Sequence, residues 1–181
     1  MTAVVDSARR QKEKYTGGQD RPLGSYLGTL AVYGATTAAV ALLARRRAGA
    51  GGPLASRRKG RAPRPIGPAD LALMTVTTHK LSRLISKDAV TSPLRAPFTR
   101  YSGTAGPAEL SEEVRGQGLR HAVGELITCP FCTAQWVATA YAAGLVFAPD
   151  ATRLAGATMT AVAGSDWLQL AYARLQQAAE G

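Results

Sequence analysis

Between Ser25 and Ala44 the chain runs for twenty residues, SYLGTLAVYGATTAAVALLA, without one Asp, Glu, Lys, Arg or His. A helix of that length spans roughly 30 Å, the hydrocarbon thickness of a bilayer. Arg45, Arg46 and Arg47 end it abruptly. Two further runs follow the same rule. Leu126–Ala148 is free of charge up to Pro149-Asp150, and Leu154–Ala173 is interrupted only by Asp166. Soluble helices carry charges on the face opposite their apolar stripe; here charges are missing all round. The runs are rich in Ala, Gly and Thr, and small residues suit helix contact in lipid. Gly24-x-x-x-Gly28 opens the first run, and Gly156, Thr160 and Gly164 stand four apart in the third. Twenty-four largely polar residues precede the first run and no small-residue cleavage pattern follows it, which argues against a secretory signal peptide.

A fourth segment, Ala69–Ser86, is amphipathic. Leu71, Met74, Leu81, Leu84 and Ile85 gather on one side of its wheel, with His79, Lys80, Arg83 and Lys87 on another. Such a helix lies in the headgroup layer or spans with its cations turned toward partners such as Glu125 or Asp166. Unpaired cations at mid-bilayer cost about 2.5–3.5 kcal/mol each. The reading favours a helix docked against the others with its basic end at the interface.

Charge is segregated along the chain. Residues 1–64 carry 13 Lys/Arg and 3 Asp/Glu of the chain's 22 and 12, so the remaining residues are balanced at 9 and 9. A mean hydropathy of −0.05 hides this division. Residues 45–64 interleave eight Lys/Arg with Gly and Pro, a composition that cannot bury a core. Having no aromatic for base stacking, this linker points to anionic lipid headgroups rather than to specific nucleic acid. Basic loops beside a span stay cytoplasmic. The expected organisation is a polar tail over 1–24, a first transmembrane helix over 25–44, a basic linker over 45–66, and a membrane domain over 67–176 with helices near 69–86, 126–148 and 154–173. The expected fold is all-α: a small integral membrane bundle of three to four membrane-associated helices in a bacterial cell membrane, the linker inside.

Two motifs stand in the membrane domain. The first is Asp88-Ala89-Val90-Thr91-Ser92-Pro93-Leu94-Arg95-Ala96-Pro97-Phe98, where the prolines prevent continued helix. The second is Gly124-Glu125-Leu126 leading into Cys129-Pro130-Phe131-Cys132 and Trp136. Between them Gly103–Gly118 reads as a polar loop with Glu109, Glu112 and Glu113. Together with Arg83 in LSRLISKD and the small-residue closing helix, the chain over about 67–175 resembles the bacterial domain-of-unknown-function family number thirteen-sixty, the YjcA-like sporulation membrane protein family. It departs from that family's pattern in His79-Lys80 inside the first family helix and in the added amino-terminal span and linker. The resemblance implies a membrane protein, offers no established activity, and marks Arg83, Asp88, Thr91, Arg95, Pro97, Phe98, Glu125 and Trp136 as motif positions.

Three roles are open to Cys129 and Cys132. Pro130 suits a first helical turn, putting Cys129 near an N-cap where free N–H groups and the helix dipole favour thiolate; this is the chemistry of a thiol–disulfide oxidoreductase. Such membrane enzymes use a second cysteine pair, and this chain has only two cysteines. The pair could supply half of a tetrahedral metal shell, with His121 or His79 as weak further ligands. Third, the cysteines pack the helix start, with Trp136 one turn on at the interface; this structural role is preferred. Asp166 reads as the partner of Arg83 or Lys80 inside the bundle. No P-loop, H-E-x-x-H, G-x-S-x-G or dinucleotide fingerprint occurs, and no cofactor is expected. The resulting expectation is a non-enzymatic membrane component that packs against itself or another membrane protein.

Overall fold

The computed structural model describes residues 5–7, 10, 11, 13, 22–49 and 65–180. Most of the expected polar tail, and residues 50–64 of the basic linker, lie outside the described residues. Helix α1 covers Leu23–Gly49 and α2 covers Pro68–Ser86; a 3-10 turn (Ala89–Thr91) and the one-turn α3 (Ser92–Arg95) follow. Strands β1 (Thr99–Gly106) and β2 (Glu109–Val114) come next, then α4 (Gly118–Thr128), α5 (Pro130–Phe147) and α6 (Pro149–Glu180).

Pairwise contacts fix the helix directions. Asp70 meets Arg153 and Lys80 meets Asp166, so α2 and α6 run parallel. Ser86 meets Thr133, joining the end of α2 to the start of α5, so those two run antiparallel. Tyr26 donates to Glu125 and Tyr33 lies against Thr139, so α1 runs alongside α4 and α5 in their direction. One end of the bundle therefore gathers Pro22, the end of α2, the hairpin, Cys129 and the second half of α6. The other end gathers the close of α1, the start of α2 and the turn at Ala148-Pro149.

Helix α2 is the centre of this arrangement, packed on both α5 and α6. Thr77 donates to the Gly156 carbonyl at 3.2 Å, a close approach to α6. The missing Cβ of Gly156 makes room for α5 on the same helix, because a Cβ there would collide with the Tyr141 hydroxyl. By contrast, Gly24, Gly28 and Gly164 have open space around them, so among the described residues nothing packs on the expected Gly24-x-x-x-Gly28 surface.

The expectation of an all-α chain fails at residues 99–114. The stretch read as a polar loop is an antiparallel hairpin, pairing Thr99 with Val114 and Gly106 with Glu109, with two irregularities in register. Ala108 takes φ 61 in its turn. Leu110, Glu112 and Val114 alternate on β2, but the middle position holds an acid, so no period-2 apolar pattern was visible. Helix bounds also shift. The expected helix over 126–148 is two helices broken at Cys129, where the backbone is extended (φ −97, ψ 109) and Pro130 starts afresh. The closing helix runs from Pro149 to Glu180 rather than 154–173.

Among the described residues one helix, over Leu23–Arg46, is long and apolar enough to cross a membrane by length and composition. The expected further spans do not meet that test: Asp70, Lys80 and Arg83 interrupt α2, Gln135 lowers α5, and Asp166 and Gln169 lower α6.

Candidate functional site

At the hairpin end, two constellations are built from the two motifs. The first centres on Arg95, whose side chain is fully buried. Its Nη1 donates to the Ile85 carbonyl and to Thr91 Oγ1, both at 2.7 Å, and its Nη2 to the Asp88 carbonyl at 2.9 Å. Nε donates to Glu112 Oε2 at 2.5 Å. Thr91 in turn donates to the carbonyls of Leu84 and Asp88. The last carbonyls of a helix have no partners within it; here Thr91 and Arg95 supply them, and β2 supplies the counter-charge. Asp88 contributes its carbonyl, not its carboxylate.

The rest of the first motif holds the hairpin to α4. Arg120 donates through Nε and Nη2 to the Pro97 carbonyl at 2.8 and 2.5 Å, and the Arg115 backbone N–H donates to the Phe98 carbonyl at 2.9 Å. Gly124 closes the contact, since a Cβ there would lie 2.6 Å from Val114 Cγ1 and 3.2 Å from the Phe98 carbonyl. Pro97, Phe98 and the glycine of the G-E-L sequence thus belong to one packing event.

The second constellation is the Cys129-Pro130-Phe131-Cys132 turn. Cys129 caps α5: its Sγ accepts from the Cys132 N–H at 3.3 Å. Both cysteines are free thiols. Burial opposes ionisation of Cys129, but hydrogen bonds from Cys132 and Phe131 and the charge of Lys87 outweigh it, so its thiol lies below the ordinary value. Burial, with the neighbouring Cys129 and the charge of Glu125, pushes Cys132 up to about 11. Phe131 between them is 89% exposed. Thr133 fastens this turn from beneath, donating to the Leu126 carbonyl at 3.0 Å and meeting Ser86 at 3.0 Å.

Other candidates separate. His121 lies 3.3 Å from Glu125, on the preceding turns of α4, and not in a shell with the cysteines. Among the described residues no group of three or more His, Cys, Asp and Glu is arranged to hold a metal. Asp166 pairs with Lys80 at 2.7 Å. Arg83, the other partner considered, instead makes a forked pair with Glu109 at 2.5–2.9 Å. Glu125, considered as a partner for the α2 cations, faces Tyr26 and His121. Trp136 stacks edge-on against Tyr33 at 5.0 Å, and Gln135 Nε2 donates to the same tyrosine at 2.7 Å.

The sequence reading missed Glu112 as the partner of Arg95, Asp70 with Arg153, and the two α1 tyrosines. Asp70 opens the amphipathic segment and Arg153 immediately precedes the third uncharged run, so neither interrupts one. Tyr26 and Tyr33 are seven apart, two helical turns, which is the signal that could have placed them on one face.

Fold and motifs define a helical bundle capped by a hairpin at one end, with a helix able to cross a membrane on its flank. The chain belongs to the family described as protein of unknown function (DUF1360), whose model matches residues 73–172. It is 31% identical over 71 residues to the sporulation protein YjcA of Bacillus subtilis (strain 168), an overlap of 38% of this chain and 60% of that protein. The chain thus spans about three-fifths of the length of that relative. No solved structure matches.

Proposed function

We propose that this chain is a four-helix, multi-pass protein of a bacterial membrane whose role is structural or interactive rather than catalytic. The observation that carries this reading is inverted packing. The buried side chains include Asp70, Thr77, Ser82, Ser86, Arg95, Thr99 and Thr133, against four apolar ones: Ala122, Tyr141, Leu145 and Ala163. Large apolar residues such as Leu30, Leu42, Leu154, Leu168 and Leu175 are more than half exposed. In water such exposure forgoes about 25 cal/mol per Å² of apolar surface; in lipid it costs nothing. Most interior polar groups are paired, Asp70, Thr77, Ser86 and Arg95 among them, as groups shielded from water must be; among the described residues the hydroxyls of Thr78, Tyr141 and Thr160 are buried without a partner.

In this reading α1, α2, α5 and α6 cross, and the Cys129-Pro130-Phe131-Cys132 turn that opens α5 stands at the interface. The linker over 45–64 faces the cytoplasm and holds anionic headgroups. The hairpin and both cysteines then face the opposite side. The exposed helix faces serve contact with another copy or another membrane protein. The test uses the chain's own two cysteines. A membrane-impermeant maleimide should label them in intact cells and fail in inverted vesicles; labelling only in inverted vesicles would overturn the orientation. Recovery of the chain in the supernatant without detergent would overturn the membrane reading itself.

A second reading, supported by the capped and activated Cys129, is thiol–disulfide exchange. The Cys129 thiolate attacks a partner disulfide, a mixed disulfide forms as the partner's other sulfur leaves as thiolate, and the Cys132 thiol, giving up its proton, displaces the second partner sulfur. Trapping of a mixed disulfide by Cys132→Ser, and its loss in Cys129→Ser, would support it; inert thiols would end it.

A further inference from the structure

Between the second half of α2, the hairpin turn and the second half of α6 lies a cavity of about 740 Å³, within the size range of ligand sites. Its two walls differ. One is ionisable: His79, Lys80, Arg83 and Asp88 come from α2 and the turn after it. The other, on α6, sets Ala163, Trp167, Leu170 and Ala173 beside Asp166 and Gln169. Trp167 and Leu170 are about half exposed. A cavity with a charged wall, an aromatic and an apolar strip fits an amphiphile.

The charge balance narrows the choice. Lys80 is closed by Asp166 and Arg83 by Glu109. That leaves two ionisable groups in the lining without a side-chain partner among the described residues, the Asp88 carboxylate and the His79 imidazole. The open carboxylate of Asp88 is negative and, among the described residues, has no cation closed on it. A purely anionic ligand would meet repulsion there, whereas an ammonium group would be held. The imidazole N–H is free to donate to a phosphate oxygen.

We infer that this cavity holds the headgroup of a zwitterionic phospholipid, its ammonium at Asp88 and its phosphate at His79, flanked by Trp167 and Leu170, with an acyl chain leaving along α6 past Ala163, away from the hairpin. The inference rests on the multi-pass reading, in which this end of the bundle lies in the leaflet away from the basic linker. It gives the two ends opposite lipid tastes: anionic at the linker, zwitterionic at the hairpin.

The test is lipid retention by the full chain, extracted in detergent and placed in bilayers of equal phosphatidylethanolamine and phosphatidylglycerol, then released stepwise and counted by mass spectrometry. The expected result is retention of phosphatidylethanolamine over phosphatidylglycerol by about five-fold or more, the scale of one partly screened charge. Asp88→Asn should erase that preference, and His79→Ala should lower it. His79 is exposed on α2, so its variant keeps the test available should Asp88→Asn not fold. Retention in bulk proportion, or a preference unchanged in both variants, would overturn the inference while leaving the multi-pass reading intact. Displacement by soluble glycerophosphoethanolamine as effectively as by a short-chain lipid would also overturn it, by showing that the headgroup alone is the ligand. A chain that needed no detergent would remove both.

Discussion

The two motif centres sit at the same end of the bundle and are built in opposite ways. Around Arg95 the guanidinium is sealed and donates to two carbonyls, a hydroxyl and a carboxylate of its own chain. Around Cys129 and Cys132 the sulfurs are free, one is exposed, and Phe131 stands almost wholly in the open. A sealed cation has nothing to offer a ligand and holds α2, the turn and β2 together. An open pair of thiols contributes little to the fold and is where outside chemistry can reach. Two motifs side by side in sequence order thus divide stability from reactivity.

The contrast breaks most readily at Arg95. Arg95→Ala leaves Glu112, 6% exposed at its side chain, as a buried charge without its partner, and should cost about 3–5 kcal/mol of stability, read as the unfolding midpoint in detergent. Little change there would mean the clamp is ornamental. Next in size is the split between the thiols. Alkylation follows the thiolate; Cys129 lies below its ordinary value, and Cys132 is pushed up to about 11. As pH rises, Cys129 should therefore react first, with Cys132 following only as pH approaches about 11. Equal rates, measured by mass spectrometry of the modified peptides, would remove the asymmetry.

Smaller effects sharpen the same division. Gly124→Ala drives a methyl into Val114 and should cost about 1–3 kcal/mol, while Gly28→Ala, with open space around it, should stay within about 0.5 kcal/mol. Cys132→Ser is of the same small order, expected to change stability by under about 0.5 kcal/mol. A large loss there would make the cysteines part of the sealed structure after all.

The helices were legible in the sequence because absence of charge is a long, continuous signal. Pro130 announced the start of α5, and with it the capping role of Cys129. The hairpin was not legible. Its strands are short, rich in Gly, Thr and Glu, and paired mainly through backbone, and the inward position that would have betrayed β2 holds Glu112. The motif residues Asp88, Thr91 and Arg95 were visible as a group, but their logic runs through carbonyls of α2, and a carbonyl leaves no mark in a residue pattern. For the same reason the choice of Lys80 over Arg83 for Asp166 was open: both lie on one helix face, and only the placing of Glu109 in the hairpin draws Arg83 away.

The clamp also sets an order on biosynthesis. Arg95 closes the end of α2 only once Glu112 has been made, twenty-six residues after Ser86 leaves the ribosome. Until then a nascent helix waits with raw carbonyls at its tip and no counter-charge for the arginine that will cover them. The counter-charge from the hairpin is thus in the chain before α5 and α6 exist to pack against α2.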